Sequence, residues 1–175
     1  NCVLFPAVSC VGSSWDKQAA RKLGRAMGKE CAHHGISMIL GPGMNIKRNV
    51  LCGRNFEYYS EDPLISGKMA AGVTRGVQKH PGCGVSIKHF CCNNHETNRM
   101  HSNSQVSQRA MRDIYLKGFR IAIDESDPAT VMSSYNLLNG EHTSQRYDLL
   151  ETLLREEWGY KGIVMFDWVR GNINQ

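Results

Sequence analysis

Long apolar runs are missing from this sequence. No segment approaches the roughly 18 consecutive apolar residues a membrane-spanning helix needs, so no membrane partner is expected. Zinc-type cysteine spacing is missing as well. Of the seven cysteines no two stand as Cys-x-x-Cys, and Cys91 and Cys92 are adjacent, an arrangement that seldom staples a fold. Free, mostly buried thiols in a reducing compartment are the expected state, which favours a cytoplasmic location. A metal held by His89, Cys91, Cys92 and His95 is the competing reading, but neighbouring thiolates do not both reach one tetrahedral ion comfortably. No metal or other cofactor is expected. Internal repeats, low-complexity tracts and Pro/Ser-rich linkers are absent too, so no domain boundary divides residues 1–175. No basic region precedes Asn1-Cys2-Val3-Leu4-Phe5-Pro6, and the first residue is not Met. The chain reads as cut from a longer protein, which leaves secretion open.

Charge of one sign is in modest excess: the formal net charge is +5 and the pI about 8.9. The densest basic region is Lys17, Arg21, Arg25 and Lys29, four residues apart and so on one stripe of a helix. Ala19, Ala20, Leu23, Met27 and Cys31 form the opposite, core-facing side. No aromatic residues interleave the charges, so the stripe is expected to be a solvated helix face, and no nucleic-acid partner is expected.

Short apolar runs recur at Ile36–Leu40, Val85–Ile87, Thr130–Met132 and Gly162–Phe166, which reads as buried strands. Phe5–Val11 is read as a further strand. Helical patterns lie between them: from Asp16 to Gly35, from Pro63 to Lys79 (interrupted by Gly67, Gly72 and Gly76), from Ser107 to Asp124, and from Ser144 to Trp158. The predicted inward residues include Leu23, Met27, Ile114, Phe119, Leu150 and Leu153, with Lys17, Arg21 and Arg25 in water. Alternating strands and helices mean parallel βα units. Four or five strands are too few for a whole eight-stranded barrel, and Cys10-Val11-Gly12-Ser13-Ser14 is not the phosphate turn of an open doubly wound sheet. The pattern leaves both architectures open.

Each predicted strand runs directly into polar residues: Gly41-Pro42-Gly43-Met44-Asn45, Lys88-His89-Phe90, Ser133-Ser134-Tyr135-Asn136 and Phe166-Asp167-Trp168. In parallel α/β folds these strand ends share one face, so the groups are expected to line one cleft. Lys88, His89, Arg54 and Arg99 would give it cations and donors, with Asp167 as nearly the sole acid. Donors in that number suit sugar hydroxyls or a phosphate. Nearby positive charge favours an ionised carboxylate, and such a group among donors is what a glycosidase nucleophile requires.

The motifs also resemble a known family. Gly53-Arg54-Asn55-Phe56-Glu57-Tyr58-Tyr59-Ser60-Glu61-Asp62-Pro63 is similar to the long signature of family 3 β-glucosidases. Gly41-Pro42-Gly43-Met44-Asn45-Ile46, Lys88-His89-Phe90, Asn93-Asn94-His95-Glu96-Thr97-Asn98-Arg99, Val131-Met132-Ser133-Ser134-Tyr135-Asn136 and Val164-Met165-Phe166-Asp167-Trp168 resemble others, in the family's order. The resemblance implies an incomplete (β/α)8 TIM-type barrel of parallel strands alternating with helices, truncated at both ends. It implies a retaining β-glycosidase acting on β-glucosides or related β-linked oligosaccharides. Asp167 would be the covalent nucleophile, Arg54, Lys88, His89 and Arg99 the groups that bond the sugar's hydroxyls, Tyr135 a neighbour of the nucleophile, and Trp168 a residue near the entrance.

Phe166 departs from the family's usual small Ser or Thr, His95 from its usual Gln, and Val169 to Gln175 do not continue its pattern. The resemblance also implies that a sugar-binding Asp lies before residue 1 and that the general acid/base Glu lies on an α/β domain of the same protein beyond residue 175. The isolated chain is therefore expected to be inactive or nearly so. A non-catalytic carbohydrate-binding or scaffold barrel is the alternative, and the reading frame on either side of the chain would distinguish the two.

Overall fold

The computed structural model describes residues 3–168. The departure noted at Val169–Gln175 lies outside them. The first element corrects an expectation. Where Phe5–Val11 reads as a strand, the chain forms helix α1, Val8–Ser13. A short apolar run cannot decide between the two periods. Here Val8 and Val11, three apart, both pack against the core, as one helix face requires.

Helix α2, Lys17–His34, starts where the Asp16 carboxylate accepts hydrogen bonds from the backbone N–H groups of Gln18 and Ala19, at 2.8 and 3.1 Å. It stops at Gly35, whose φ of 67° is the left-handed conformation that glycine adopts without penalty. Its most buried residues are Ala20, Gly24, Gly28 and Cys31, with Leu23 and Met27 half-buried beside them. Helix α3, Pro63–Val77, begins behind the Asp62 cap and buries Gly67, Gly72 and Gly76. Gly72 and Gly76 let the two helices touch backbone to backbone, whereas Gly67 packs against Gly118 and Ile121. A methyl group on Gly24 would run into the Val73 carbonyl oxygen, and one on Gly76 into that of Arg21. This close crossing leaves Lys17 and Arg25 exposed but half-buries Arg21, which corrects the expectation of a wholly solvated stripe.

The main sheet is parallel, with strands in the order β1 (Met38–Ile39), β2 (Gly84–Phe90), β4 (Thr130–Ser133) and β7 (Ile163–Met165). Ile87 pairs with Val131, and Val131 with Val164. Val85, Ile87 and Val131 are fully buried under the helices, and Phe90 meets Phe119 edge-to-face at 5.1 Å. A smaller sheet joins β3 (Asn103–Ser104), β5 (Leu137–Leu138) and β6 (Glu141–His142). Asn139 and Gly140, both at positive φ, turn β5 into β6, the Asn-Gly signal of a tight hairpin.

The helix expected over Ser107 to Asp124 is three pieces: α4 (Gln108–Ala110), a wide π-type turn at Met111–Tyr115, and α5 (Lys117–Ser126). The wide turn shifts the helical phase. Met111, Leu116, Phe119, Ala122 and Ile123 are buried, while Ile114, expected inside, is 38% exposed. The last helix, Asp148–Glu157, is also π-wound and buries Leu149, Leu153 and Leu154, with Leu150 half-buried. Among the described cysteines Cys31, Cys52, Cys83, Cys91 and Cys92 are buried, Cys10 is exposed, and none is in a disulfide. Among the described residues no helix is long and apolar enough to cross a membrane.

Candidate active site

The site begins at the end of β2, which the β1–α3 connection holds in place. The Met44 N–H donates to the Lys88 carbonyl at 2.8 Å, and the Lys88 N–H to that of Pro42 at 3.1 Å. Asn45, buried, clamps the next residue from both sides: its Nδ2 donates to the His89 carbonyl at 2.8 Å, and its Oδ1 accepts the His89 N–H at 2.7 Å. The His89 ring is 1% exposed. Its Nδ1 stands 3.1 Å from the Tyr58 hydroxyl, and its Nε2 points to Asp167, 3.6 Å from Oδ2.

Asp167 follows β7. Its Oδ1 accepts the Trp168 backbone N–H at 2.9 Å, and its Oδ2 lies 4.0 Å from Nη1 of Arg54. His89 Nε2 and Asp167 Oδ2 are both buried and form no hydrogen bond with another described residue. Arg54 and Lys88 share a carboxylate, Glu57, whose Oε1 is 2.5 Å from Arg54 Nε and whose Oε2 is 3.2 Å from Lys88 Nζ. Arg99 is held in the same manner. Its Nη1 donates to Glu96 at 3.0 Å, Asn93 donates to the other Glu96 oxygen at 3.0 Å, and the guanidinium lies over the Tyr135 ring at 4.8 Å.

The electrostatics follow from this packing. Burial, reinforced by the positive charges of Arg54, Lys88 and Arg99, holds the His89 pKa well below 6.5, so the imidazole is neutral. Burial works to raise Glu57, but the Arg54 hydrogen bond and the Lys88 and Arg54 charges outweigh it and keep the carboxyl below its usual range. Burial works to lower Arg54, and its bond to Glu57 outweighs that too.

The predicted residues are thus brought together unevenly. Arg54 and His89 face Asp167 directly, whereas Lys88 faces Glu57 and Arg99 faces Glu96 and Tyr135. Trp168 stands beside Asp167 and is 72% exposed. The expectation of a cleft with hardly an acid besides Asp167 is corrected: Glu57 and Glu96 sit among the cations. Their signal was present, since each is three residues from the arginine it holds, but sequence could not show which way they turn. Asn45 and Tyr58 were missed as partners of His89. Among the described residues no three His, Cys, Asp or Glu side chains gather as a metal ion would need.

Comparison with known proteins gives the setting. The profile of the glycosyl hydrolase family 3 N terminal domain matches residues 1–174. An exo-α-(1→6)-L-arabinopyranosidase of Bifidobacterium longum is 48% identical over 164 residues, and thermostable β-glucosidase B of Acetivibrio thermocellus 44% over the same number. Each alignment covers 94% of this chain and 22% of the relative, so the chain spans about a fifth of the length of the curated relatives it matches. β-Glucosidase 3B from Thermotoga neapolitana, solved in complex with α-D-glucose, superposes with a TM-score of 0.93 at 52% identity, over 96% of this chain and 23% of that one. Bifidobacterium adolescentis GH3 β-glucosidase gives 0.91 at 48% identity, over 94% of this chain and 24% of that one. The four parallel strands are therefore part of a (β/α)8 barrel that does not close within the described residues. With nearly all of its length matched, the chain belongs to glycosyl hydrolase family 3, within the family's N-terminal domain.

Proposed function

We propose that the chain is the catalytic-barrel part of a retaining β-glycosidase for β-glucosides or closely related β-linked sugars. Asp167 attacks the anomeric carbon, the glycosidic bond breaks as the leaving oxygen is protonated, and water then hydrolyses the glycosyl-aspartate. The observation that carries this reading is the buried pair His89 Nε2 and Asp167 Oδ2, 3.6 Å apart, without a hydrogen bond among the described residues and bordered by Arg54. A buried acceptor and an imidazole left unpaired side by side suit a polyhydroxylated ring that pairs with both. Arg54, Lys88, His89 and Arg99 bind its hydroxyls, Tyr135 borders the nucleophile under the Arg99 guanidinium, and Trp168 offers an indole face at the entrance. The general acid comes from another part of the full-length protein, because Glu57 and Glu96 are committed to the site's cations.

The test is Asp167→Asn in the full-length protein, with an aryl β-glucoside as substrate. Turnover is expected to fall by about three orders of magnitude or more, with circular dichroism and glucose affinity retained. Turnover within tenfold of the parent would remove Asp167 from the nucleophile's role.

A further inference from the structure

Two groups behind the nucleophile decide which nitrogen of His89 carries the proton. A neutral imidazole has one N–H donor and one acceptor, and its neighbours select between them. Nδ1 faces the Tyr58 hydroxyl at 3.1 Å and Asn45 Oδ1 at 3.3 Å, while Nε2 faces the Asp167 carboxylate at 3.6 Å. Tyr58 is fully buried, and burial raises its pKa, so its hydroxyl keeps its proton and needs an acceptor. The one side-chain hydrogen bond that the hydroxyl makes among the described residues is to His89 Nδ1.

A proton on Nδ1 would leave the buried Tyr58 hydroxyl without an acceptor and turn the Nε2 lone pair toward the carboxylate. Both arrangements are costly. Asn45 Oδ1 has a second lone pair for an Nδ1–H at 3.3 Å, but that longer bond would still leave the buried Tyr58 proton without an acceptor. With the proton on Nε2, Tyr58 donates to Nδ1, and Nε2–H points toward the Asp167 carboxylate 3.6 Å away, where it is a donor available to a ligand.

We propose that Tyr58 is a positioning residue that fixes His89 as its Nε2–H tautomer, making the imidazole a hydrogen-bond donor on the Asp167 side of the site. The assignment itself rests on packing alone; its consequence for substrate rests on the glycosidase reading above. A sugar hydroxyl seated between the two side chains accepts from Nε2–H and donates its own proton to the carboxylate. The site thereby selects a free hydroxyl there over an ether or a fluorine, neither of which can donate.

Neutron diffraction from perdeuterated crystals of the full-length protein at neutral pH tests this directly. The expected density places deuterium on His89 Nε2, leaves Nδ1 bare and directs the Tyr58 deuteron at Nδ1. Deuterium on Nδ1 would overturn the proposal, whether or not Nε2 is also occupied. In Tyr58→Phe the deuteron is expected to move to Nδ1, facing Asn45, and kcat/KM to fall about ten- to hundredfold, the effect of one lost hydrogen bond in a buried site. An unmoved deuteron with unchanged kcat/KM would overturn the role of Tyr58, and if the variant does not fold the parent density decides alone. Deuterium on Nε2 in a protein in which Asp167 proves not to be the nucleophile would uphold the tautomer and refute the glycosidase reading instead.

Discussion

Glu57 reaches Lys88 across the cleft at 3.2 Å while holding Arg54 with its other oxygen. One carboxylate thus orients two cations from different segments, which suits the substrate-binding role proposed for them. Glu57→Gln keeps the shape and removes the charge. In the full-length enzyme it is expected to raise KM and lower kcat/KM about ten- to hundredfold, the size of weakened charge-assisted hydrogen bonds. Unchanged kinetics on an aryl β-glucoside would show that Arg54 and Lys88 are placed without it.

The glycine contact between α2 and α3 makes a stability prediction of the opposite sign to helix propensity. Gly→Ala in an open helix stabilises by up to about 1 kcal/mol. Gly24→Ala is expected to destabilise by about 1–3 kcal/mol, because the added methyl meets the Val73 carbonyl. Urea unfolding followed by circular dichroism reads the difference, and stabilisation would contradict the packing.

The strands of the main sheet were legible in the sequence, the two central ones most clearly, because Val85-Ser86-Ile87 and Thr130-Val131-Met132 are buried on both faces. Phase was not. The wide turn at Met111–Tyr115 moved Ile114 into solvent, and Gly67, Gly72 and Gly76 looked like interruptions although they are the contact surface of α3. At the site, polar residues at strand ends pointed to Lys88, His89 and Asp167. The pairing of Glu57 with Lys88 and of Tyr58 with His89 is long-range and depends on side-chain direction, which spacing does not encode.

His89 should make stability fall in mild acid. Its folded pKa lies well below 6.5, so as pH drops through about 6.5 the unfolded chain takes up a proton that the folded chain, with the ring buried and Arg54, Lys88 and Arg99 around it, does not. Stability attributable to this residue is full above that pH and declines below it, by at most about 1.4 kcal/mol per pH unit. His89→Gln should flatten the slope between pH 6.5 and the folded pKa. An equal slope in parent and variant would contradict the buried, neutral ring.

Expressed by itself, the 175-residue chain is expected to cleave only substrates whose leaving group needs no protonation. Slow release of dinitrophenol from a dinitrophenyl β-glucoside, with no action on cellobiose, is the predicted pattern. Hydrolysis of cellobiose at the full-length rate would place the general acid within residues 1–175.

The central claim is that Asp167 forms a bond to sugar, and trapping that bond tests it most directly. A 2-deoxy-2-fluoro β-glucoside with a dinitrophenyl leaving group slows both steps but forms the intermediate faster than water removes it. After incubation with the full-length protein, proteolysis and mass spectrometry locate the added fluorosugar. The predicted result is one fluoroglucosyl group on Asp167, absent from Asp167→Asn; a label on any other residue would contradict the account.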